Sequence, residues 1–344
     1  MTCFRPLVQH GAARPDGAHP LAGGPLWFTH VEALGRNTPP RIMAADEVAP
    51  AQLQRLSAPR APVAGLDMRQ AQIMGILNVT PDSFSDGGRH NAPDLAVKAA
   101  LDMAGGGATV IDIGGESTRP GADPVPEQEE IDRTAPVIAA LRRASDVPVS
   151  IDTRKTNVAR AALKAGAGLV NDVSGFTFDT TLAGLCADKG VPVCVMHSKG
   201  DPATMQEAPH YDNVLLDVYD LLEARIAELE RAGIARARIV ADPGIGFGKT
   251  QAHNLTLLQN ISLFHGLGCA ILLGASRKRF IGTLGNAPRA DTRAPGSIAV
   301  GLAALAQGVQ ILRVHDVNET AQAIKLWQAV TGCDGLRQGK AIKR

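Results

Sequence analysis

From Gln72 onward the chain alternates short apolar runs with longer stretches whose apolar residues return every three or four positions. The first pattern predicts buried strands and the second amphipathic helices, and their regular alternation predicts a parallel sheet with crossover helices. The strands fall at 72–79, 109–114, 148–152, 169–173, 192–196, 238–242, 269–275 and 310–315. Helices are expected at 93–105, 127–144, 155–166, 179–189, 212–232, 251–265, 296–308 and 318–331. The longest carries Val214, Leu215, Val218, Leu221, Leu222 and Ile226 at helical spacing and stops at Gly233. Eight such units over about 265 residues predict an α/β fold, a (β/α)8 barrel spanning 71–335 with a short tail at 336–344. Residues 1–70 are rich in Pro, Gly, Ala and Arg, with one apolar patch from Leu26, Trp27 and Phe28 to Val31 and Leu34. They read as an N-terminal extension with a strand and turn, then a linker, and the barrel is expected to fold and work without residues 1–60.

Several strands end in polar clusters: Asp152-Thr153-Arg154-Lys155, Asn171-Asp172, Asp242-Pro243-Gly244 and Arg313-Val314-His315. In a barrel of this kind catalytic groups come from the C-terminal ends of several strands, so the scattered clusters converge on one mouth. Arg313 and His315 lie two apart and project from one face. The guanidinium fork suits phosphate oxygens, and the alternative is a structural pair with Asp316 or Asp291. Ser276-Arg277-Lys278-Arg279 adds three cations, at least one of which should point into the mouth. Asp152, Asn171 and Asp242 offer acceptors, and a carboxylate can take parallel hydrogen bonds from an amino group and a ring N–H. That suits a pterin or purine edge, while a metal site and a rim ion pair fit the same residues. Asn78 and Asp112 are further strand-end oxygens. Asn78 can ligate Mg²⁺, which takes few protein ligands, or cap a turn. His197 reads as structural or catalytic. Two long Gly/Pro-punctuated loops, 78–93 and 114–127, would cover such a pocket. Residues 244–250 imitate a phosphate-binding loop, but Pro243 stands where that motif needs glycine.

The bulk numbers restrict the setting. Of 344 residues, 45% are hydrophobic and 20% charged, an ordinary globular balance. A net charge of +1 gives no long-range pull toward nucleic acid or an anionic membrane, so any anion site is local. The five cysteines, Cys3, Cys186, Cys194, Cys269 and Cys333, form no CxxC pair and read as reduced thiols of a cytoplasmic protein. No apolar run approaches the ~18 residues of a membrane span, and Met1 to Pro6 lacks the apolar region of a secretory signal.

Taken together, GILNVTPDSFSDGG at 75–88, DIGGESTRPG at 112–121, SIDT at 150–153, NDVSG at 171–175, Met196-His197, GDPATMQ at 200–206, DPGIGFGK at 242–249, Ser276-Arg277-Lys278 and Arg313-Val314-His315-Asp316 resemble the dihydropteroate synthases. The resemblance spans 72–331 in family order, and its first two segments are highly specific. It implies condensation of 6-hydroxymethyl-7,8-dihydropterin pyrophosphate with p-aminobenzoate, Mg²⁺ as cofactor, a homodimer and a sulfonamide target. Mapped onto this chain, it implies a pterin pocket of Asp152, Asn171, Asp242 and Lys278 with Met196 beside the ring. Asn78, Thr118, Arg313 and His315 would hold pyrophosphate, with Asn78 on the metal. Asp86, Thr118 and Arg119 would close over the reacting centre. Phe84, Pro120, Phe247 and Lys278 would form the p-aminobenzoate pocket; because Phe84 and Pro120 lie on the two long loops, p-aminobenzoate is expected to bind only after the pterin pyrophosphate, or pyrophosphate with Mg²⁺. Arg279 stands where some members carry Ser, which leaves the backbone N–H groups of a helix start for the aminobenzoate carboxylate. The nearest rival, a pterin-binding methyltransferase, has no pyrophosphate to hold and would not need Arg313-x-His315. A catalytically silent pterin-binding module would have lost its loop residues, which are intact here.

Overall fold

The structure is a computed structural model and describes residues 2–80, 92–117, 124–199 and 209–333. The N-terminal part contains β1 (Cys3–Pro6), β2 (His19–Pro20), β3 (Trp27–Phe28), β4 (His30–Gly35), β5 (Thr38–Ala44) and α1 (Pro50–Ser57). The remainder runs β6 (Gln72–Asn78), α2 (Ala92–Gly106), β7 (Val110–Gly114), α3 (Glu127–Ala144), β8 (Val149–Asp152), α4 (Thr156–Ala165), β9 (Leu169–Asp172), α5 (Leu182–Lys189) and β10 (Val193–Met196). It continues with α6 (Val214–Arg231), β11 (Ile239–Asp242), α7 (Gln251–Gln259), β12 (Ala270–Leu273), α8 (Arg279–Leu284), α9 (Ala294–Leu305), β13 (Ile311–Val314) and α10 (Val317–Thr331). Strands β6 to β13 close into a parallel barrel in sequence order, β13 pairing with β6. The expected (β/α)8 architecture with an N-terminal extension is therefore the fold.

Alternation along each strand sorts the side chains into two cores. Ile73, Leu77, Ile111, Ile113, Ile151, Val170, Val195, Ala241, Leu273 and Leu312 face outward into the layer beneath the helices. Met74, Val110, Leu169, Cys194, Val240, Leu272 and Ile311 face the barrel interior. Among the described residues no helix is long and apolar enough to cross a membrane.

The expected linker differs most from what the sequence suggests. Val63 and Leu66 exchange backbone hydrogen bonds across Ala64 and Gly65, at 2.9 and 3.1 Å. Both turn residues have positive φ, +50° and +81°, the two-residue reversal that glycine eases. The tip carries Val63, Leu66 and Met68 into the interior cluster, where they plug the N-terminal end of the barrel. The rest of the extension is also docked. Its isolated apolar residues Leu21, Leu26, Phe28, Val31, Val48 and Leu56 converge with Cys333 on a small separate core, against which Trp327 of α10 packs. Arg60 is buried without a carboxylate partner among the described residues. It donates to the carbonyls of Arg55, Ala58, His265 and Cys269, tying the extension to the barrel. The expectation of an independent barrel from residue 61 onward does not take these contacts into account.

Candidate active site

Strand register assembles the mouth. Asn78 pairs with Gly114, Gly114 with Asp152 and Asp152 with Asn171, so four neighbouring strands deliver these positions at one level. Met196 pairs with Asp242 across β10 and β11, one inward residue beyond Cys194, the partner of Asn171. Because Ile113, Ile151, Val170, Val195 and Ala241 face outward, the alternate residues Asp112, Asp152, Asn171, Met196 and Asp242 face inward. Asp152, Asn171, Met196 and Asp242 are all buried.

Arg313 reaches across the barrel to join two carboxylates. Its Nε donates to Asp112 Oδ2 and its Nη2 to Asp152 Oδ2, both at 2.6 Å. Asn171 Nδ2 donates to the same Asp112 oxygen at 3.0 Å. Asp112 Oδ1, Asp152 Oδ1 and Ser150 Oγ are buried with no hydrogen-bond partner among the described residues. Such acceptors lose hydration without compensation unless a ligand or water supplies donors. Burial pushes the Asp152 carboxyl up against the pull of Arg313. Burial likewise pushes Asp242 up to about 6, although Gly244 N–H donates to its Oδ1 at 2.7 Å.

The loop after β11 is held by its own lysine. Buried Lys249 donates to the carbonyls of Gly244 and Phe247 at 2.8 and 2.9 Å, and its Nζ lies 2.8 Å from His197 Nδ1. Burial lowers Lys249 to about 7 and His197 to about 2. His197 thus serves the loop, the structural of its two readings, and the residues that imitate a phosphate-binding loop form a Lys-stapled turn. Gly244 has φ +67°, and a Cβ there would stand 1.9 Å from the His197 carbonyl oxygen, so no other residue fits.

Of the three cations after β12, one turns to the mouth. Lys278 Nζ lies 4.0 Å from the centroid of the Phe247 ring, a cation–π contact. Arg277 turns away to Asp316, its Nε donating to Oδ2 at 3.1 Å, and Arg279 is the exposed first residue of α8. His315 follows the end of β13, its Nδ1 3.0 Å from Ser276 Oγ. The structural partners considered for Arg313 are taken by other arginines, Asp316 by Arg277 and Asp291 by Arg289. Phe84, Asp86, Thr118, Arg119 and Pro120 lie outside the described residues. Sequence reasoning named Asp112 only as a strand-end oxygen and missed Lys249. The signal for Asp112 was its place two residues before Gly114, on the inward phase of β7.

The family model described as pterin binding enzyme matches residues 74–315. The dihydropteroate synthase of Escherichia coli K12 is 47% identical over 264 residues, covering 77% of this chain and 93% of that enzyme. Among solved structures, Xanthomonas albilineans dihydropteroate synthase with 4-aminobenzoic acid has a TM-score of 0.74 and 46% identity, covering 79% of this chain and 98% of that one. The same enzyme in complex with 7,8-dihydropteroate has a TM-score of 0.72 and 43% identity over the same shares. The family model reaches from β6 to the residue after β13, and the chain belongs to the pterin-binding enzymes, among the dihydropteroate synthases.

Proposed function

We propose that this chain joins p-aminobenzoate to 6-hydroxymethyl-7,8-dihydropterin pyrophosphate, giving 7,8-dihydropteroate and pyrophosphate, and that it works as a cytoplasmic homodimer. The observation that carries the substrate assignment is the inward set of buried acceptors, Asp152, Asn171 and Asp242, with Asp152 Oδ1 unpartnered among the described residues. A pterin edge offers an amino group and a ring N–H, the donors such oxygens lack. Lys278 and Met196 complete the pterin pocket. Arg313, His315, Asn78 and Thr118 take the pyrophosphate. Asp86 and Arg119 complete the cover over the reaction, and Phe84, Pro120, Phe247, Lys278 and Arg279 flank the aminobenzoate. The five thiols are all buried and unpaired, which suits a reducing compartment.

In the reaction the aryl amine nitrogen attacks the pterin methylene carbon, the carbon–oxygen bond to pyrophosphate breaks, and the amine gives up a proton. Arg313 and His315 stabilise charge on the departing oxygens, while the pocket walls hold the weak nucleophile in line. Among the described residues no group of three His, Cys, Asp or Glu could cage a metal. The lone amide oxygen of Asn78 fits Mg²⁺, an ion that keeps several waters and binds mainly through phosphate oxygens. When bound, Mg²⁺ supplies further neutralisation of the leaving group. Purified protein given the pterin pyrophosphate, p-aminobenzoate and Mg²⁺ is expected to release pyrophosphate only when both substrates are present. No release from folded protein would overturn the assignment and favour a methyltransferase or a silent binding module.

The raised carboxyls add a pH dependence. A protonated Asp242 cannot accept two N–H donors, so affinity for a neutral pterin should rise as pH climbs through about 6 and level off above it. The sign for stability is opposite. The folded-state pKa lies above the ordinary 3.8, so the stabilisation is complete below 3.8 and is lost as pH rises through about 6. Calorimetric titration with a pterin across this range checks the first statement, and a pterin affinity independent of pH would remove Asp242 as the acceptor.

A further inference from the structure

The roles proposed for Arg313 and Asp152 conflict in the ligand-free site. Arg313 Nη2 donates to Asp152 Oδ2 at 2.6 Å, so the charge proposed to meet a diphosphate is held by a carboxylate. Asp152 in turn presents one oxygen to Arg313, so that only Oδ1 is left without a partner among the described residues. The neighbouring Nε, on the same edge of the guanidinium, is held separately by Asp112 Oδ2 at 2.6 Å. Asp112 is fully buried and pairs with Ser150, one inward layer below Asp152, whose partner is Gly114.

Building on the proposed function, we propose that Arg313 passes from Asp152 to the diphosphate when substrate binds, keeping Asp112 as its fixed anchor, and so uncovers the pterin acceptor. The exchange links two subsites that share no ligand atom. A diphosphate that draws Nη2 away relieves Asp152, and the pterin then meets a carboxylate it no longer has to win from an arginine. By reciprocity a pterin seated on Asp152 releases Arg313 toward the diphosphate, so each ligand strengthens the other. Asp242 contacts neither edge of Arg313 in this network and supplies an internal control with the same charge at the same mouth.

The test uses 6-hydroxymethylpterin and inorganic pyrophosphate as separate probes, titrated calorimetrically with Mg²⁺ present throughout. In the wild-type protein, saturating pyrophosphate is expected to tighten pterin binding about tenfold. Asp152→Asn should bind pyrophosphate alone several-fold more tightly than wild type, because its neutral amide holds Arg313 more weakly. Asp242→Asn removes a charge that acts on Arg313 only at a distance and should tighten pyrophosphate binding clearly less than Asp152→Asn does. Equal tightening in both variants would reduce the effect to general electrostatics and overturn the exchange, as would absence of coupling in the wild type. If Asp242→Asn also binds the pterin as wild type does, the fault lies with the assignment of the pterin pocket itself.

Discussion

Asp242→Asn is expected to weaken binding of a pterin ligand by about thirtyfold or more, corresponding to roughly 2 to 5 kcal/mol. The size of the effect follows from a local constraint. Gly244 N–H donates to Asp242 Oδ1 at 2.7 Å, and an asparagine in its place must keep its carbonyl oxygen there. Its NH₂ group is then turned toward the pterin donors, donor against donor, in a pocket where Asp242 is buried and water cannot compensate. The same change removes a carboxyl that burial has pushed up to about 6, so the ligand-free variant should be more stable than wild type at neutral pH. Calorimetry for binding and thermal unfolding for stability should therefore move in opposite directions. A folded variant with unchanged pterin affinity would take Asp242 out of the pocket.

The other large effect is expected at the opposite end of the barrel. Removing residues 1–68 deletes Val63, Leu66 and Met68 from the interior cluster. At roughly 1.5 to 3 kcal/mol for each fully buried side chain, that is about 4.5 to 9 kcal/mol, comparable to the whole stability of an ordinary domain. The deletion also removes Arg60 from four carbonyls and uncovers the face of α10 around Trp327. The truncated chain should be insoluble or unfolded. Deletion of residues 1–60 alone, which spares the plug, should give a folded barrel with a lowered thermal midpoint. Met68→Ala in the full chain should cost about 2 to 5 kcal/mol. Unchanged unfolding in all three would mean that the extension contributes nothing to the barrel.

These two ends of the molecule differ in how far the sequence discloses them. The barrel strands are legible because each is a compact apolar run that stops at a turn or polar residue, and α3 begins and ends where its periodicity does, at Glu127 and Ala144. The helix expected at 251–265 is instead α7 followed by a 3-10 turn at Ile261–Leu267, broken at Asn260. Helix α8, six residues long, is too short to show a period. The extension hides its core because, outside the patch at 26–34, its apolar residues are scattered, and they find partners at Trp327 and Cys333, far along the chain. In the site, Asp152, Asn171 and Asp242 could be named from their places at strand ends. The Asp112–Arg313–Asp152 bridge could not, since it joins non-adjacent strands across the interior and depends on side-chain reach.

With Val63, Leu66 and Met68 filling its N-terminal end, the barrel interior is, among the described residues, a cul-de-sac that opens at the mouth. Traffic through it must follow depth: buried Asp152, Asn171 and Asp242 lie at the back, and half-exposed Phe247 and Lys278 stand at the threshold. Whatever sits at the threshold bars the exit of whatever sits behind it. A compound that occupies only the aminobenzoate position would accordingly imprison the pterin rather than exclude it, prolonging its residence. Slower pterin release with the compound present would display this directly in a stopped-flow displacement measurement, and an unchanged release rate would mean a second way out.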